Sequence, residues 1–148
     1  MEFDYTITTT KSFDDAVESV QHEIAKVGMR VLYVHDVQKT LAEKGFEREL
    51  FKIVEFCSAK YANEFLNADI KIGLCMPCKI NVYIKDGQTF NSRLYDNSSA
   101  NQGSRAKREV LISGMRPIIL PQFFPQADLG EKSKEIDQII QNIINNAK

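Results

Sequence analysis

The sequence lacks a long apolar run, a surplus of charge of either sign, and enough cysteine for a disulfide framework. Each lack excludes a class of protein. Short apolar stretches such as Ile118–Leu120 fall far below the roughly 20 residues that cross a bilayer, so no membrane segment is expected. Nineteen basic against twenty acidic residues leave a formal net charge of -1, without the positive field a nucleic-acid or anionic-membrane binder carries. The opening Met1-Glu2-Phe3-Asp4 has no basic region followed by an apolar one, so no secretory signal is expected and the expected compartment is the cytoplasm. Three cysteines, an odd number, suggest free thiols or a metal site there. Nucleotide cradles of the G-x-x-x-x-G-K-[ST] or G-x-G-x-x-G kind and the G-x-S-x-G elbow are absent as well.

What is present is one domain's worth of patterned chain. At 148 residues with 43% apolar side chains, residues 1–148 can bury a single core without disulfides or a structural metal. Alternation over Tyr5–Thr9 predicts a strand, and Ser12 with Asp15 forms a capping-box-like start to a helix carrying Ala16, Val17, Val20, Ile24 and Val27 and closed by Gly28. Val31–Val34 predicts a second strand, followed by a short helix capped by Asp36 and ending at Gly45. Leu50–Cys57 alternates with apolar groups on both sides, which predicts a central strand; Ser58 then caps a helix stopping near Asn67–Asp69. Asp86-Gly87 between Lys79–Lys85 and Gln88–Tyr95 predicts a two-residue hairpin, with a polar mobile loop near 96–109 beyond it. Val110–Ile112 reads as another strand. Pro117, Pro121 and Pro125 exclude a regular helix and predict an extended surface segment. Ile136, Ile139, Ile140, Ile143 and Ile144 make the stripe of an amphipathic C-terminal helix near 131–147. Together these predict an α+β fold, a mainly antiparallel sheet with helices packed on one face.

Val34-His35-Asp36-Val37, Leu41, Gly45, Val54–Cys57, Ala62, Asp69, Gly73 and Met76-Pro77-Cys78 running into Asn81-Val82-Tyr83 form a pattern that resembles the domain-of-unknown-function family 302. The resemblance covers about the first 95 residues and implies a TATA-box-binding-protein-like β-α-β topology and homodimers. It implies no catalytic residues and, despite the fold's name, no DNA binding. The chain departs from the family pattern at Ser58-Ala59, at the additional thiol Cys75, and in the stretch Asn97–Arg108.

The chemistry concentrates in the thiols. Cys75-Met76-Pro77-Cys78 has the C-x-x-C spacing of metal sites and the C-x-P-C spelling of redox sites. It leads into a strand, however, where a thioredoxin-type pair opens a helix. With Lys79 following, it is no haem-attachment motif. Cys57 ends one strand and Cys78 begins another, so Cys57, Cys75 and Cys78 are expected to converge as a binding set for a small soft ligand: a metal ion, haem or a sulfur species. With His35 they would form a metal set for zinc, copper(I) or iron. The competing readings are a thiol redox protein using Cys75 and Cys78, and a structural interaction domain whose cysteines are core residues. His22 is expected to be solvated, Asp36 to be a helix cap, and Arg105-Ala106-Lys107-Arg108 to be a solvated basic cluster.

Overall fold

In a computed structural model, which describes residues 2–85 and 109–148, the chain runs β1 (Asp4–Thr9), α1 (Phe13–Lys26), β2 (Arg30–Asp36), α2 (Val37–Ala42), β3 (Phe51–Cys57), α3 (Ala59–Ala68), a 3-10 turn (Ile70–Cys75), β4 (Cys78–Ile84), β5 (Val110–Met115), a 3-10 turn (Pro117–Ile119), α4 (Leu120–Phe123) and α5 (Gly130–Ala147). The strands form one sheet in the order β1-β5-β4-β3-β2, with every neighbouring pair antiparallel. The fold is α+β. β1 and β2 lie at opposite edges, so α1 between them crosses the whole sheet.

Local chemistry accounts for most of the boundaries. The Asp15 amide donates to the Ser12 hydroxyl at 3.2 Å and begins α1, while Gly28 at φ +78° ends it. The Asp36 carboxylate accepts from the Lys39 amide at 3.0 Å and caps α2. Ser58 occupies the first position before α3 as expected, but its side chain makes no capping bond. β3 is interior, between β2 and β4, with Val54 and Phe56 fully buried. The expected Asp86-Gly87 hairpin, the strand Gln88–Tyr95, the basic cluster and, except for Glu109, the loop near 96–109 lie outside the described residues.

The proline segment corrects the sequence reading. It is wound, not extended. Pro117 and Pro121 stand in the first positions of a 3-10 turn and of α4. A missing amide costs nothing there, because the first amides of a helix have no partner within it. Pro117, Ile119 and Leu120 are buried, so the segment is part of the core.

α1 and α5 pack side by side against the same face of the sheet. Val17, Val20 and Ile24 from one meet Ile136, Ile140, Ile143 and Ile144 from the other in a cluster with Val54, Phe56, Ile80, Val82 and Ile112. Gly114 sets how closely α5 approaches. A Cβ there would lie 3.0 Å from Ile144 Cδ1 and 3.2 Å from Ile140 Cγ2, closer than side chains normally pack. Replacing Gly114 by valine should therefore push α5 off the sheet and lower stability by about 1–3 kcal/mol, as overpacking does. Chemical denaturation measures it, and an unchanged midpoint would show that α5 can shift at no cost.

Candidate functional site

Four strands and the segments that flank them meet at one end of the sheet. Cys57 is the last residue of β3 and Cys78 the first of β4, with Phe56 and Cys78 in register. Arg30, which opens β2, pairs with Cys57, so Met29 sits at the same end. Met115 ends β5. Cys75 closes the 3-10 turn that follows α3, and Met76 and Pro77 carry the chain from it into β4.

An apolar pocket opens at this end, and Cys57, Cys75, Cys78, Met29, Met76 and Met115 all line it. The sequence holds only three cysteines and four methionines. Apart from Met1, every sulfur-bearing residue of the chain therefore contributes to the wall of one cavity. Ser58, then Tyr61, Ala62 and Phe65 of α3, Ile72 of the first 3-10 turn, Pro117 of the second, Leu120 of α4 and Ile136 of α5 complete the wall. The space open to the centre of a water molecule is about 40 Å³, where one water takes roughly 10–15 Å³. That is room for an ion or a few atoms. A haem would require the walls to part.

The thiols are free and half-buried. Burial pushes the Cys78 thiol up to about 11 from 9.0, the nearby Cys57 thiol raises it further, and Lys79 pulls it back. Cys78 is thus a neutral thiol at physiological pH. The Cys57 thiol donates to the Ser58 carbonyl at 3.6 Å. At the rim, the Tyr61 hydroxyl donates to Glu135 Oε1 at 2.5 Å, linking α3 to α5. That bond to a carboxylate holds the phenol up at about 12.

The three cysteines expected to converge do line a common cavity. His35 does not join them. It pairs with Ile53, four positions up β3 from Cys57, or about 13 Å along a strand rising ~3.3 Å per residue. Its Nε2 is 2.9 Å from Glu55 Oε1, and its ring meets Tyr33 edge-on at 4.7 Å. Among the described residues, no group of three or more His, Cys, Asp or Glu side chains is placed to hold a metal ion. The expected metal set of Cys57, Cys75, Cys78 and His35 is therefore not formed, and the three cysteines alone do not form one either: strand pairing carries the imidazole away from the thiols, and alternation turns Cys57 to the face opposite Cys78, which is in register with Phe56. Sequence reading missed the methionines. Their signal lies in register: Met29 precedes β2 and Met115 ends β5, so both fall at the level of Cys57 and Cys78 once the strands are paired. His22 is exposed.

A dithiol of the thioredoxin type is activated by a helix N-terminus, whereas Cys75 stands at the C-terminal end of its turn. No helix of the described residues is long and apolar enough to cross a membrane.

A family sequence profile described as "Domain of unknown function DUF302" matches residues 5–92. The crystal structure of an uncharacterized conserved protein DUF302 from Bacillus stearothermophilus is similar over 100% of both chains, with a TM-score of 0.80 and 21% sequence identity. At that identity the likeness establishes the fold. No curated protein matches the chain.

The shifted thiol makes a direct prediction. At pH 8, Cys78 should alkylate with iodoacetamide about 100-fold more slowly than an unperturbed thiol, because two pKa units remove that much thiolate. Its rate should climb with pH until about 11. Peptide-resolved mass spectrometry reads the rate, and a Cys78 that alkylates as fast as glutathione contradicts the assignment.

Proposed function

The chain belongs to the DUF302 family, and from that premise we propose that it is a non-catalytic binding module whose sulfur-lined pocket receives a small soft ligand. The observation that carries this reading is the gathering of Cys57, Cys75 and Cys78 around one apolar cavity. Apolar walls exclude hydrated ions and hard anions, since burying them without partners is costly. Polarisable sulfur rewards soft, weakly hydrated species. Thiol redox work by Cys75 and Cys78 has less support, because the one strongly perturbed thiol is shifted toward its unreactive form.

Phenylarsine oxide is a suitable probe, since its soft arsenic exchanges oxygen for two thiol sulfurs and releases water. Native mass spectrometry of the reduced protein should show one arsenic adduct per folded chain, lost in C75A and in C78A, the two cysteines that line both this pocket and the hollow beside it. Adducts that form only after denaturation would make the cysteines sealed core residues and leave a structural interaction domain.

We further propose that two copies of the chain pair through the second face of the sheet. Phe51, Ile53, Tyr83 and Leu111 lie on the face of the sheet away from α1 and α5 and are half-buried, and the rings of Phe51 and Tyr83 stack at 5.4 Å. An antiparallel sheet whose second face carries apolar residues and, among the described residues, neither α1 nor α5 is suited to isologous pairing. Sedimentation equilibrium should give twice the chain mass, reduced to one chain by Ile53→Asp; a monomer for the unaltered protein at every concentration rejects the pairing.

A further inference from the structure

We propose that α3 and the 3-10 turn behind it move as one piece, a lid over the pocket, and that the bond between Tyr61 and Glu135 is its latch. The inference rests on the binding reading above and adds how the site is opened and closed. Three observations carry it. The pocket lies along a seam: Tyr61, Ala62, Phe65, Ile72 and Cys75 line it from residues 59–75, whereas Met29, Met115, Leu120 and Ile136 line it from the rest of the molecule. The segment is bonded to itself. Its connecting backbone bonds run from the Asp69 amide to the Phe65 carbonyl, from Ile72 to Asp69 and from Met76 to Gly73, and α3 packs chiefly on the turn that follows it. Across the seam, among the described residues, the side-chain hydrogen bond is that of the Tyr61 hydroxyl to Glu135 Oε1 at 2.5 Å.

A unit held in this way opens at lower cost than the sheet beneath it, because few bonds must break for it to leave. Its start is loosely fixed, since the Ser58 side chain makes no capping bond to α3. Ile70 and Leu74 of the turn are exposed, so outward movement meets no wall among the described residues. The fixed side of the seam is α5, which the Arg116–Asp137 pair fastens to the end of β5. Two things oppose opening: the burial of Phe65 and Ile72, and a latch strengthened by the charge on its acceptor. Opening uncovers both side chains, which holds the empty pocket shut; an apolar body that slips into the seam covers them again. Closed, the pocket has room for an ion or a few atoms. With the lid displaced it takes a larger molecule, and the latch sets how often that happens.

Hydrogen exchange of the full chain, resolved by peptide mass spectrometry, tests the lid, since amides in a segment that opens on its own exchange at a rate set by that opening. Y61F keeps the ring in the pocket wall and removes the donor; E135A removes the acceptor. Each should speed exchange across residues 59–75 by about 10- to 100-fold, the range lost with a hydrogen bond to a charged group, and leave α1 and the strands unchanged. Because both variants break the same bond, Y61F/E135A should exchange no faster than Y61F. A segment that exchanges at the unaltered rate in Y61F overturns the proposal. So does an acceleration spread evenly over the segment, α1 and the sheet, or a double variant in which the two effects add. The pocket is read separately with phenylarsine oxide, which should add to folded Y61F faster than to the unaltered chain. Equal rates of addition would show that the segment does not gate the pocket and would also overturn the proposal, while the binding module stands. If neither folded chain takes up arsenic, the binding reading fails, and exchange still decides whether the segment opens as one piece.

Discussion

The pocket's geometry depends on one buried ion pair. Arg116 follows β5 directly, and its Nε and Nη2 donate to Asp137 Oδ1 and Oδ2 at 3.2 and 2.9 Å, in the two-pronged geometry that suits guanidinium and carboxylate. The Asp137 side chain is only 5% exposed, and the Gln141 amide donates to it at 2.6 Å. A carboxylate so deeply placed must keep its partners, since breaking a buried pair by removing one member leaves a charge that costs about 3–5 kcal/mol. The residues flanking the pair are pocket walls: Met115 and Pro117 on one side, Ile136 on the other. The Arg116 amide also donates to the Phe3 carbonyl at 2.8 Å, which ties in the entry to β1. One arginine thus fixes the end of the sheet, the start of the proline turns and the first half of α5 relative to one another.

Much of this architecture was legible in the residues, and the reasons are local. Ser12, Gly28 and Asp36 act through bonds to chain a few positions away, so their consequences appear in any short window of sequence. The isoleucine stripe of α5 is equally plain because a helix repeats its buried face at a fixed interval. The turns at Pro117 and Pro121 were misread because proline is hostile to a helix interior and welcome at its first positions, and only packing decides which applies. Burial of Ile119 and Leu120 decided it here.

The site was half legible for a related reason. Cysteine draws attention by its chemistry, and strand alternation correctly put Cys57 and Cys78 at strand ends. His35 drew the same attention but stands toward the other end of its strand, a distinction that depends on the β2–β3 register and its irregularity between Val31 and Tyr33. The methionines passed unremarked because a lone methionine in sequence reads as core filler. Their meaning arises from the company they keep, which pairing across β2, β3, β4 and β5 supplies.

Gathering nearly all of the chain's sulfur behind one opening also gathers its oxidisable atoms. Peroxide entering there would meet thioethers that become polar sulfoxides, and the apolar lining would lose the character that lets it pack. Elsewhere in the described chain there is no sulfur to damage, so oxidative injury would strike one place and leave the scaffold intact.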